Sequence, residues 1–161
     1  MFTDTNFSPS DDHKIEAFHH VLYEIDMFLA LPIPADHPVI CNAVTESFLV
    51  HTRNLCDFFE KARHKDDIIS SDYGFPQSKL GVPPQVDSRF DKSLAHITYS
   101  RLCFSDETKK WLLDHFVPRL LPRITAFLDH ILSNSSVKIK VDDLQRAKQL
   151  NHRAKQLASL K

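Results

Sequence analysis

The chain has 161 residues, of which 42% are hydrophobic and 25% are charged, and its formal net charge is −1. This length and composition predict one folded unit with a sizeable hydrophobic core. Only two glycines occur, Gly74 and Gly81, so the glycine-rich loops that hold phosphate in Walker and Rossmann proteins are nearly excluded. No apolar run reaches the ~20 residues of a membrane span. The acidic N-terminal residues do not resemble a signal peptide, and three widely spaced cysteines are typical of a reduced, cytoplasmic protein.

The charges are unevenly distributed along the chain. Residues 1–36 hold seven acidic residues and one lysine, whereas residues 134–161 hold seven basic residues and two acidic ones. Such a chain can pair its own ends, or can present its basic tail to RNA or to an acidic protein partner. We therefore divide it into a helical bundle domain, 1–133, and a basic linker with a C-terminal helix, 134–161, docked on the bundle or on a partner.

The first helix is predicted to begin at residues 10–12, where Ser-Asp-Asp is a helix-start signal. It ends before the Leu-Pro-Ile-Pro run at residues 31–34. Its apolar residues recur at the three- and four-residue spacing of a single helix face: Ile15, Phe18, Leu22, Ile25 and Leu29.

A second helix is predicted from Asp36, which can cap it with Pro38 in the first turn, to about Lys65. Residues 66–88 contain two glycines and three prolines, so they form one long loop whose apolar residues anchor its first part to the bundle.

A third helix opens at residue 87 or 88, and a fourth runs from Trp111 to Leu132. Pro118 and Pro122 lie within the fourth helix and are expected to kink or divide it. The last helix, 142–160, carries a narrow seam of Ala147, Leu150, Ala154 and Leu157. The chain is thus predicted to be an all-α, up-and-down bundle of four or five helices.

The polar residues of the second helix are the first candidate site. His51 lies on its apolar face, and Arg53 and Asp57 are spaced to form an ion pair. Together with His96 and Arg101 of the third helix they can form either a buried structural network or a site that binds phosphate or another ligand.

Arg89 and His96 lie on one face of the third helix and are the candidate catalytic pair. An arginine that holds phosphate and a histidine that moves a proton are what RNA cleavage without a metal requires. The alternative is a solvated helix face.

A metal site is a further alternative on the first helix. His13, His20 and Glu24 share a face there, and Glu16 and His19 have the spacing used in di-iron bundles. Such a bundle needs two Glu-x-x-His motifs, and only Glu16 and His19 have that spacing, so no metal and no cofactor is predicted.

Four ordered blocks of the sequence resemble a family of short bacterial helical-bundle proteins without an assigned activity. They are ESFLVHTRNLCDFF at residues 46–59, DDI at 66–68, LAHITYSR at 94–101, and Trp111. The resemblance implies a small helical bundle and implies no reaction.

The chain also resembles the HEPN domains, many of which are dimeric ribonucleases of toxin–antitoxin and defence systems. Their signature is an arginine and a histidine with four to six residues between them, and three pairs fit it: Arg89/His96, Arg123/His130 and Arg146/His152. We prefer the first pair because it lies within the stretch that the family-like blocks span and beside the long loop. The resemblance implies a homodimer that binds or cleaves RNA. A non-enzymatic interaction module and a metal- or small-molecule-binding bundle stay open as alternatives.

Overall fold

The computed structural model describes residues 7–30, 37–61, 63–82, 115–134 and 137–159. These residues contain four α-helices: α1, Asp11–Leu29; α2, Pro38–Glu60; α3, Val117–Asn134; and α4, Val141–Ser159. A single turn of 3-10 helix spans Ser70–Tyr73, and no strand occurs in the described ranges. The predicted all-α bundle is confirmed.

The helices form two hairpins that pack through α1 and α4. Helix α1 contacts both α2 and α4, and α4 also contacts α3. Glu24 contacts His51 while Phe28 stacks on Phe48, so α1 and α2 run antiparallel. Helices α1 and α4 run in the same direction, because Glu16 pairs with Lys140 near the start of both and Asp26 pairs with Arg146 further along.

The core is a cluster of aromatic and aliphatic side chains in which the ring of Phe127 is central. This ring is fully buried, and five rings from α1, α2 and the 73–75 segment have centroids 5.2–6.4 Å from it: Phe18, Phe58, Phe59, Tyr73 and Phe75. Burial of this apolar area is the main force that holds the helices together.

Helix α1 matches its prediction closely. The side chain of Ser10 accepts a hydrogen bond from the backbone N–H of His13 at 3.2 Å, which caps the first turn. Phe18, Leu22, Ile25 and Leu29 are buried, and Ile15 packs at the edge of the core. The predicted apolar stripe is therefore the buried face.

Helix α2 differs from its prediction at both ends. Its N-cap is His37, whose Nδ1 accepts a hydrogen bond from the backbone of Val39, rather than Asp36. It ends at Glu60, not near Lys65, because the segment 77–80 binds its last turn. The backbone N–H of Ser78 donates to the carbonyl of Phe59 at 3.0 Å, and Gln77 donates to the carbonyl of Lys61.

Helix α3 begins at Val117 and is continuous through Pro122, so the predicted division of the helix does not occur at Pro122. Pro118 lies in the first turn, where a backbone donor is not needed. Pro122 is exposed, whereas Leu121 and Ile124 on either side of it are buried in the core.

The described part of the predicted loop, residues 66–82, packs against the bundle as expected. Ile69, Tyr73 and Phe75 are buried. The hydroxyl of Tyr73 donates to the backbone carbonyl of Lys14 at 3.1 Å, and burial raises the pKa of this hydroxyl above its usual range. Residues 83–88, and the predicted third helix with Arg89, His96 and Arg101, lie outside the described residues.

Helix α4 docks on the bundle through its predicted seam. Ala147, Leu150 and Ala154 are buried, and Leu157 packs at the edge of the core. Its arginines reach across to α1, where Arg146 and Arg153 pair with Asp26 at 3.0 and 3.3 Å. The acidic and basic ends of the chain thus pair with each other.

Asp129 of α3 makes a second, separate ionic contact with α4. Its Oδ1 accepts hydrogen bonds from Lys155 and Asn151, both at 2.7 Å, and these bonds lower the pKa of the carboxyl. Lys140 lowers the pKa of Glu16 in the same way. None of the described helices is both long and apolar enough to cross a lipid bilayer.

Candidate functional site

A hydrogen-bonded network joins α1 to α2 where their apolar faces meet. Glu24 Oε2 lies 2.7 Å from Nδ1 of His51 and 3.1 Å from the side-chain amide of Asn54. Because an ionised carboxylate only accepts, the hydrogen of the first bond lies on Nδ1 of His51. The His51 side chain is 10% exposed and that of Glu24 is 24% exposed. Two donors from α2 therefore fix one carboxylate of α1 while part of it stays in contact with solvent.

Glu24 and Asn54 of this network line a cleft of about 350 Å³, which we call the α1–α2 cleft. Its floor is apolar, and its rim is polar and contributed by α1, α2 and the segment 66–68. The lining residues are His20, Val21, Glu24, Asn54, Leu55, Phe58, Asp66, Asp67 and Ile68. A cavity of this size with a few convergent polar groups is what a small-molecule site in a protein usually has.

The cleft is acidic. Its lining includes the acidic residues Glu24, Asp66 and Asp67, and no lysine or arginine in the described ranges lines it. On its α2 side it continues into a smaller recess of about 190 Å³ that also contains Asp57. On its α1 side it shares His20 and residues 66–68 with a recess of about 320 Å³ beside the start of α1. The three form a continuous line of concave surface.

The segment 63–72 is held so that two of its acids, Asp66 and Asp67, line the α1–α2 cleft. Arg63 donates to the backbone carbonyl of Asp67 and to the side chain of Asp72. Asp67 Oδ2 accepts from the backbone of His64 at 3.2 Å, and Lys65 adopts a positive φ of 55°. Asp66, Asp67 and Ile68 of this turn line the cleft together with Asn54.

The structure locates three of the six predicted site residues. His51 is buried and contacts Glu24 of α1, a partner that was predicted only as a possible metal ligand. Asp57 lines the smaller recess and pairs with Lys61 at 2.7 Å, and Arg53 is half-buried on α2. Arg89, His96 and Arg101 lie outside the described residues, so their juxtaposition with His51 stays a prediction.

The other two arginine–histidine pairs with HEPN-like spacing have structural contacts. Arg123 donates to the carbonyl of Pro76 and stacks over the ring of Phe75 at 4.4 Å, and His130 Nε2 lies 3.1 Å from the carbonyl of Tyr73. Both side chains thus fasten the segment 73–76 to α3. Arg146 pairs with Asp26, as described above.

The candidate metal ligands of α1 are spread out. His13 belongs to the cap of α1, where its Nδ1 accepts from the backbone of Ser10 at 3.3 Å, and His19 donates to the carbonyl of Glu16 at 2.5 Å. Within the described ranges, no three histidine, cysteine, aspartate or glutamate side chains converge in a way that could hold a metal ion.

Comparisons of the chain with protein-family models, with curated proteins and with solved structures find no match. The resemblances to the bacterial bundle family and to HEPN domains therefore stay predictions. Two of the blocks that carry the first resemblance, 46–59 and 66–68, meet at the α1–α2 cleft.

Proposed function

We propose that this protein is a ligand-binding helical bundle and that the α1–α2 cleft is its binding site. The observation that carries the proposal is the network of Glu24, His51 and Asn54 at the cleft wall. A carboxylate held by two donors at the edge of an apolar recess is already oriented before any ligand arrives, so binding costs little side-chain ordering there.

The rest of the cleft supports the same function. Its apolar floor of Val21, Leu55 and Phe58 can bury the body of a small molecule, and Asp66 and Asp67 on the opposite wall add polar contacts. Residues of three separate segments meet here, which is typical of binding sites in helical bundles.

Ligand-observed NMR with a library of neutral, cationic and anionic fragments tests the proposal. We expect a subset of fragments to bind the wild-type chain and to lose binding in Asp66→Trp, because the indole fills the cleft from its exposed rim. The matched control is Glu46→Trp, which places the same side chain on an exposed part of α2 that does not line the cleft. No binding by fragments of any charge, or equal binding to both variants, would contradict the proposal.

The second candidate function is metal-independent RNA cleavage by Arg89 and His96, with Arg53 and Arg101 holding phosphate. The structural contacts of Arg123 and His130 favour Arg89/His96 among the pairs with the required spacing. Homodimerisation, a cytoplasmic location and an RNA or acidic partner for the basic tail belong to the same proposal.

The RNA function predicts cleavage by the purified chain in EDTA at low salt and its loss in His96→Ala. RNA that stays intact with the wild-type chain, or equal cleavage by His96→Ala, argues against it. Binding that weakens steeply with added salt is expected if the basic residues contact phosphate.

A further inference from the structure

We propose that the ligand of the α1–α2 cleft is a small organic cation, a protonated amine attached to an apolar body. This inference rests on the proposed binding function and adds the chemical class of the ligand. It follows from the combination of three carboxylates on the walls with an apolar floor.

The charge of the walls selects the sign of the ligand. Glu24 of α1 and Asp66 and Asp67 of the segment 66–68 line the cleft, without a lysine or arginine among the described residues of the lining. At a separation of about 5 Å in a water-like medium, each carboxylate strengthens the binding of a cation roughly fourfold and weakens that of an anion by the same factor. Phosphates and carboxylic acids are therefore disfavoured.

The floor selects an organic ion rather than a metal ion. Val21, Leu55, Phe58 and Ile68 offer hydrocarbon surface, whereas a divalent metal needs several oxygen or nitrogen ligands at one point. The described carboxylates instead stand on separate walls, as the lack of any three-ligand group indicates. An organic amine can place its ammonium group near the acidic residues of the rim and its hydrocarbon part on the apolar floor.

The size and shape of the cleft select a small molecule. A recess of about 350 Å³ lies at the lower end of the range of small-ligand pockets in proteins, about 300–1,000 Å³. The cleft is bounded by α1, α2 and the segment 66–68. A compound of one ring and a short chain therefore fits into it better than the flat surface of another protein does. A lysine side chain of a partner protein is also an ammonium group on a hydrocarbon chain. The experiment below distinguishes it from a free amine.

The test compares three ligands with one skeleton: 2-phenylethylamine, 2-phenylethanol and phenylacetate, titrated into the full chain at pH 7 by NMR. With three carboxylates in the lining, we expect the amine to bind about fiftyfold more tightly than the alcohol, and the acid to bind most weakly. In Asp66→Asn/Asp67→Asn the amine should lose about tenfold in affinity, as removal of two carboxylates predicts, while the alcohol is unchanged. The control Glu46→Gln/Asp142→Asn removes two exposed acids outside the lining and should leave all three affinities as they are.

Different failures have different meanings. If the alcohol or the acid binds as tightly as the amine, the cation assignment is wrong and the binding function stands. If none of the three ligands and no fragment of the library binds, both proposals fail. If the capped peptide Gly-Lys-Gly binds more tightly than 2-phenylethylamine, the small-molecule assignment is overturned in favour of a protein partner.

Discussion

The bond between Glu24 and His51 is expected to stabilise the fold measurably. The perturbation is a double-mutant cycle of Glu24→Ala, His51→Ala and the double variant, which isolates the interaction from the cost of losing each side chain. Because Glu24 lines the cleft and His51 of α2 holds it, this bond links the stability of the α1–α2 hairpin to the shape of the candidate site.

The magnitude follows from burial and charge. Hydrogen bonds to charged groups contribute about 1.5–3 kcal/mol when buried, whereas exposed ion pairs contribute about 0.2–1 kcal/mol. The side chains here are 10% and 24% exposed and their polar atoms lie 2.7 Å apart. We therefore expect a coupling of about 1–2 kcal/mol, near the lower end of the buried range.

Urea unfolding followed by circular dichroism at pH 7 measures the coupling. The pair Asp57–Lys61 serves as control, since its side chains are 41% and 54% exposed and its coupling should be about 0.3–0.5 kcal/mol. A Glu24–His51 coupling no larger than that of the control would refute the reasoning, because the contact would then have no special burial.

Three further predictions concern the core, the loop and the charged ends. Phe127→Ala should lower the free energy of unfolding by about 3–5 kcal/mol, because it leaves a cavity among five aromatic rings; urea denaturation measures this. Tyr73→Phe should lower the free energy of unfolding by about 1 kcal/mol at pH 7, because the hydrogen bond to the carbonyl of Lys14 is lost. The stability of this variant should depend less on alkaline pH than that of the wild-type chain. The buried hydroxyl has a raised pKa, so wild-type stability is intact below the unfolded pKa of about 10 and falls as pH rises above it. Asp26→Asn should lower the free energy of unfolding by about 0.3–1 kcal/mol at low salt, because its ion pairs with two arginines of α4 are lost, and by almost nothing at 1 M salt.

Each of these has a clear contrary result. A loss below about 1.5 kcal/mol for Phe127→Ala would show that Phe127 is not central to the core. For Tyr73, the exposed Tyr23 provides the control variant Tyr23→Phe, and equal alkaline sensitivity in both variants would contradict the burial. A loss for Asp26→Asn that is independent of salt would show that the contact with α4 is not ionic.

The fold was largely predictable because helix periodicity and burial agree along most of the described chain. The stripe of α1 and the seam of α4 are both buried faces, and the apolar residues of the 66–82 segment anchor it as their pattern indicated. The ends of α2 were not predictable in the same way. Its last turn is determined by bonds to Gln77 and Ser78 from a distant segment, and no local signal in residues 60–65 reveals that contact.

The candidate site was only half predictable. His51 stood out as a polar residue on an apolar face, but its partner depends on the register of the α1–α2 hairpin. The contact of Phe28 with Phe48 fixes that register and places Glu24 opposite His51. If α1 and α2 are taken as antiparallel neighbours with Phe28 against Phe48, Glu24 falls opposite His51. The position of Asp66 and Asp67 depends on the turn held by Arg63, which the sequence pattern did not indicate.

The side-chain amide of Asn54 provides the most direct test of the central claim, that the cleft between α1, α2 and residues 66–68 binds a ligand. This amide donates to Glu24 at the cleft wall and gives its own pair of signals in a proton–nitrogen NMR spectrum. On titration with 2-phenylethylamine, we expect these signals and the backbone amides of residues 66–68 to shift together and to saturate with one affinity. Shifts confined to α3 and α4, or no saturable shift at Asn54 with this amine or with any fragment of the library, would contradict the account.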